Sequence, residues 1–190
     1  MKYSRYVFLL TLVFLITLSS FSNAQDYKIE KSQTLLTFSG FHAGNKFVGN
    51  FENCDATLSF NPDNLPASTF KASFETASAK TGNAMYDGTL PQTDWFDSKT
   101  YPTATFVSRE IIKIKDGQYK AKGDLTIRSI TKPIEFDFTL SDLSQSIVKV
   151  NANIQIDRLA YDIGLKSDPK SEWVSQMINV SIGLTAIKMQ

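Results

Sequence analysis

Apolar and polar residues alternate with a period of two along most of this chain, the signature of half-buried β-strands. Val148, Val150, Ala152, Ile154 and Ile156 share one face of a strand, and Lys149, Asn151, Asn153, Gln155 and Asp157 share the other. Ile134, Phe136, Phe138 and Leu140 alternate in the same way, as do Ile178, Val180, Ile182, Leu184 and Ala186. Further strands are expected at Thr34–Phe41, Lys46–Phe51, Ala56–Phe60, Thr69–Ser78, Ala104–Ile114 and Gln118–Ile127, about nine in total. Turn residues separate most of them: Asn61-Pro62-Asp63-Asn64, Asp116-Gly117, Ser129 to Lys132 and Ser141-Asp142. Only Gly82 to Pro102 breaks the rhythm. There Asn83 and Thr93-Asp94 each precede a short apolar cluster, which predicts two helical turns closing one end. Strands with one dry face pack as a sandwich or curl into a barrel, and about eight strands enclose room for one small ligand. The chain carries 14 Phe. Those rings either fill a solid core or line a tunnel, and composition by itself favours the core.

The first residues bear on the compartment. Lys2 and Arg5 precede an apolar run, Val7 to Leu18, and Ser22-Asn23-Ala24 offers the small residues of a cleavage site. A dozen apolar residues fall short of the ~20 that span a hydrocarbon core. The expectation is a signal peptide over 1–24, cleavage after Ala24, and one domain over 25–190 in the periplasm or medium. No paired Arg precedes the run, so the general secretory route is expected. Losing Lys2 and Arg5 moves the formal charge from +1 to −1, so no basic footprint for nucleic acid exists. Cys54 is the sole cysteine, which excludes an internal disulfide and suits a small buried apolar residue. The fold must hold itself together by burial.

Seven stretches, in order, resemble the YceI-like family of exported lipid-binding proteins. They are Phe38-Ser-Gly-Phe-His42, Phe47-Val-Gly-Asn-Phe51, Ser78-Ala-Lys-Thr-Gly-Asn83, Asp94-Trp-Phe-Asp97, Tyr101-Pro-Thr-Ala-Thr-Phe106, Gly123 to Ile134 and Ile156 to Gly164. The resemblance implies an all-β, antiparallel, lipocalin-like β-barrel whose tunnel holds a polyisoprenoid such as a prenyl quinone or prenyl phosphate. It also implies no catalytic residues and no covalent cofactor. A long prenyl chain needs little polar recognition, since each buried methylene contributes about 0.8 kcal/mol. Many members carry an Arg and a His in the segment matching Asn83 to Leu90, where this chain has Tyr86 and Thr89. That departure removes partners for a charged head and implies a neutral or quinone-like one.

Strand parity and size nominate the lining: Leu36, Phe38, Phe47, Phe51, Phe74, Ile127, Phe136, Phe138, Val150, Ile154, Val180 and Ile182. His42, the only histidine, shares the parity of Leu36, Phe38 and Gly40 near a mouth. It either meets a ligand head or is satisfied by neighbouring backbone. One His without spaced Cys makes no metal site. No Gly-x-Ser-x-Gly, His-Glu-x-x-His or phosphate loop supports catalysis. Arg128 with Lys132, and Arg158 with Tyr161 and Asp162, read as rim clusters, solvated or salt-bridged. Trp95, Phe96 and Trp173 read as plugs of a barrel end, with a lid that opens for ligand entry as the alternative. The expected protein is a lipid carrier, monomer or homodimer, making transient membrane contact. Its rival is a structural or adhesive β-domain with a solid core and no small-molecule ligand.

Overall fold

The computed structural model describes residues 24–141 and 146–189. The predicted signal peptide up to Asn23, and Asp142 of the Ser141-Asp142 turn, lie outside the described residues. Eleven strands appear: β1 (Gln25–Ile29), β2 (Leu35–His42), β3 (Asn45–Phe51), β4 (Cys54–Phe60), β5 (Thr69–Glu75), β6 (Ala79–Lys80), β7 (Thr103–Lys115), β8 (Gln118–Ile127), β9 (Ile130–Ser141), β10 (Ile147–Asp157) and β11 (Met177–Lys188). All their pairings are antiparallel.

Eight strands close a ring in the order β1-β4-β5-β7-β8-β9-β10-β11, with β11 returning to β1. Closure removes the exposed edges that an open sheet would present. β11 pairs with β1 through Ala186–Lys188 and with β2 through Asn179–Gly183, so β1 and β2 lie end to end along one edge. A 3-10 turn, Lys31–Gln33, makes the break between them. β3 follows β2 as β4 follows β1, and β6 extends this half of the wall beside β3. The strands expected from alternation are all present, with ends shifted by a few residues. β1 and β6 were not expected: β1 offers only Tyr27 and Ile29 as an alternating apolar pair, and β6 has two residues.

The Asn83 side chain caps the one α-helix among the described residues, α1 (Ala84–Thr89), by accepting from the N–H groups of Met85 and Tyr86. The second expected helical turn, at Thr93–Asp97, is instead a run of backbone-bonded turns from Leu90 to Tyr101. Both segments lie at the end of the barrel where β2, β8 and β10 finish, together with the long connection 158–176.

The opposite end is solid. Phe60 and Tyr119 meet edge to face at 4.9 Å, and Tyr119 contacts Phe138 at 5.7 Å. Leu58, Leu140, Val148, Val150 and Ala186 fill the space around these rings. The interior is thus packed in its lower part and changes character higher up.

Candidate functional site: an apolar tunnel and its mouth

The upper interior encloses a cavity of about 150 Å³ whose walls are almost wholly aliphatic and aromatic. Ten of the residues nominated from parity line it: Leu36, Phe38, Phe47, Phe51, Phe74, Ile127, Phe136, Ile154, Val180 and Ile182. Phe138 and Val150 do not. Their parity is inward, but both belong to the solid lower end, where they are only 4% exposed. Alternation reports the face a residue occupies and says nothing of its height along the barrel.

Phe70, Phe106, Leu125, Ile134 and Ile178 also line the cavity and have the same inward parity, so the pattern contained them. Leu90, Trp95, Phe96, Ile163 and Val174 come from the irregular connections, where no period exists to reveal them. Gly49 is forced by this packing: a Cβ there would collide with the Phe38 ring. Phe38 in turn stacks against Phe51 at 5.2 Å, and Phe51 against Phe74 at 4.3 Å.

Above lies a second chamber of about 320 Å³, lined by His42, Thr81, Met85, Tyr86, Thr89, Ser167, Asp168 and Trp173 among others. Phe38, Phe47, Leu90, Trp95 and Val174 border both spaces and form the neck between them. His42 sits in this outer chamber, its Nδ1 3.0 Å from the Tyr86 hydroxyl. Its Nδ1 is thus engaged by a side chain rather than by neighbouring backbone. Met85 and Trp173 flank the chamber at 74% and 59% exposure. Trp173 is therefore a rim residue, whereas Phe96 is buried as a plug should be.

Arginine–acid contacts knit the roof. Arg158 is 2% exposed and donates to the carbonyls of Ser175, Ile163 and Val174 and, at 2.7 Å, to the Asp168 carboxylate. Its guanidinium lies 5.7 Å from the Trp95 ring centre. Asp168 also accepts from the N–H groups of Glu172, Trp173 and Val174. Burial alone would raise its pKa, but these donors and the Arg158 charge outweigh burial and hold it below the usual carboxylate range. For Arg158 burial prevails over the neighbouring charge and lowers its pKa. Of the cluster expected at a rim, Arg158 and Tyr161 are therefore interior and Asp162 is exposed, and the salt-bridged alternative holds for Arg158 with Asp168 as its partner. Gly164, at φ +67°, leaves room for it, since a Cβ there would lie 2.8 Å from Nη1.

Arg128 and Ser129 form the two-residue turn between β8 and β9, both at positive φ (51° and 61°). Arg128 reaches back to the carbonyls of Thr93, Asp94 and Asp162. It ties the hairpin to both roof connections through backbone carbonyls. Asp94 completes the seam by accepting from the N–H groups of Lys166 and Ser167. Among the described residues no group of three His, Cys, Asp or Glu is placed to hold a metal.

These features define a closed β-barrel with an apolar interior and one open, weakly polar mouth. A family model for the YceI-like domain matches residues 27–186, and the chain belongs to that family. A UPF0312 protein of Vibrio cholerae is 34% identical over 116 residues, covering 60% of this chain and 61% of its own. Protein YceI of Escherichia coli O157:H7 is 32% identical over 120 residues, again about 62% of each chain. The matched region thus spans less than two thirds of these relatives. Among solved structures, BcnA of Burkholderia cenocepacia superposes with a TM-score of 0.78 at 23% identity, over 83% of this chain and 98% of that one. A YceI protein of Campylobacter jejuni gives 0.67 at 26%, over 75% and 85%. A Saccharophagus degradans domain described as polyisoprenoid-binding gives 0.69 at 14%, over 86% and 98%.

Proposed function

We propose that this protein is a non-catalytic, exported carrier that holds a long apolar lipid, a polyisoprenoid, in its barrel. The observation that carries this is the apolar cavity joined through a neck of large side chains to an outer chamber. A solid-core structural domain, the rival reading, has no use for such a space. Packing defects are costly, at roughly 24 cal/mol per Å³ of cavity, so an empty one needs a reason.

Size constrains how the guest sits. An apolar cavity of about 150 Å³ takes a benzene-sized molecule, whereas ligand pockets run to roughly 300–1,000 Å³. A long chain therefore has to occupy both spaces and spread the neck at Phe47 and Leu90. Linear prenyl chains suit this, since they are narrow and can thread between rings. The family membership and the polyisoprenoid-binding structural neighbour support the same ligand class. Export rests on the signal-peptide pattern of residues 1–24, with a periplasmic or secreted mature protein.

Native mass spectrometry of the protein purified from the periplasm tests the proposal, with solvent extraction of any bound material. An additional mass that extracts as a prenyl lipid is the expected result. A bare protein that also fails to gain added prenyl quinone or prenyl phosphate would return the reading to a structural β-domain.

A further inference from the structure

We infer that a layer of three phenylalanine rings sets the length of tail this protein accepts, at about four isoprene units counted inward from the mouth. The inference rests on the lipid-carrier reading and concerns tail length alone, whatever the head.

The limit comes from where the apolar cavity stops. Phe70 of β5, Phe106 of β7 and Phe136 of β9 line its deep end, with successive ring centres 5.9 Å and 5.2 Å apart. β8 lies between β7 and β9, so Phe106 and Phe136 meet only because a ring crosses it. Gly123 of β8 permits the crossing, since a Cβ there would lie 2.6 Å from Cζ of Phe106. The three rings thus form a floor across the barrel rather than a lining along one wall.

The space below this floor is filled. Ala121 and Tyr119, the next inward residues of β8, are buried, as is Phe138, which follows Phe136 on β9. A tail reaching further would have to displace side chains packed at core density.

The room above the floor is the cavity of about 150 Å³ and the outer chamber of about 320 Å³. An apolar cavity of roughly 150 Å³ takes one benzene ring, so on that scale the two spaces seat on the order of twenty carbons, about four isoprene units. A longer tail leaves its surplus in water at the mouth. Each methylene that could have stayed in a bilayer then weakens binding roughly fourfold.

The test incubates the mature protein with phosphatidylcholine vesicles carrying equal amounts of farnesol, geranylgeraniol, geranylfarnesol and solanesol. Protein separated from the vesicles is extracted, and the bound prenols are quantified by mass spectrometry. Recovery is expected to peak at geranylgeraniol, with solanesol at least about tenfold lower. Phe136→Ala opens the floor and is expected to raise the ratio of geranylfarnesol to geranylgeraniol about tenfold, and the milder Phe136→Leu about threefold. A mere folding defect would lower both prenols together. Equal or greater recovery of solanesol from the parent protein overturns the inference, as does an unchanged ratio in Phe136→Leu, which keeps an apolar side chain in place. Failure to recover any of the four prenols overturns the carrier reading as well.

Discussion

The guanidinium of Arg158 lies 2.7 Å from the carboxylate of Asp168, with side-chain exposures of 2% and 5%. This pair holds the connection 158–176 over the barrel, because each partner also bonds to backbone of that segment. Removing one partner leaves a buried charge without its counterpart. Asp168→Ala is expected to cost about 3–5 kcal/mol, read as a shift of the urea midpoint. A double replacement, Arg158→Met with Asp168→Leu, is expected to cost less than Asp168→Ala alone. If the double variant is the weaker, the backbone bonds matter more than the charge pair.

The same carboxylate sets the response to acid. Asp168 and Asp94 both have folded-state pKa values below their ordinary one, with burial opposed and outweighed by hydrogen bonds. A group depressed in this way contributes stability that is complete above its unfolded value and is lost as pH falls through its folded value. Stability is therefore expected to be flat near neutrality and to drop below the ordinary carboxylate range. Asp94→Asn should flatten that drop when urea midpoints are compared across pH. A profile identical to the parent protein would mean that Asp94 does not carry it.

Cavity and core respond oppositely to volume changes. Phe138 sits in the solid end, and Phe138→Ala is expected to cost roughly 3–5 kcal/mol. Ala72, on the cavity wall, faces open space. Ala72→Phe is expected to leave the thermal midpoint unchanged or raised while abolishing uptake of menaquinone-4. Uptake that persists with the ring in place would show that the guest bypasses the inner cavity.

The β8–β9 turn offers a separable test of strain and anchoring. Non-glycine residues in the left-handed region cost roughly 1–2 kcal/mol each. Ser129→Gly is expected to raise stability by up to about 1 kcal/mol, since glycine relieves the strain but gains chain entropy when unfolded. Arg128→Gly relieves the same strain, yet it is expected to lower stability because three roof contacts disappear. Equilibrium unfolding of the two variants decides between them.

Met85 and Trp173 expose apolar surface on either side of the mouth, where a lipid would pass to or from a bilayer. With Trp95→Phe in the background, Trp173 becomes the only tryptophan in the sequence. Its emission is expected to shift to the blue on adding vesicles, and Met85→Lys should weaken that shift. Emission that vesicles leave unchanged would indicate transfer without membrane contact.

Two-residue alternation was enough to read the wall of this barrel from the chain alone, because a strand's inward and outward faces are a local property of the backbone. Phe38, Phe47, Ile154 and Val180 could be assigned to the interior on that basis. Alternation carries no information about height, so Phe138 and Val150 looked identical to residues lining the cavity. Their place was decided by Phe60 of β4 and Tyr119 of β8, which closure of the ring brings together to fill the lower end. The roof was least legible. Arg158 meets Asp168, and His42 meets Tyr86, only because the irregular connections fold back over the mouth. Such pairings depend on the closure of the whole ring, which no periodicity along the chain encodes.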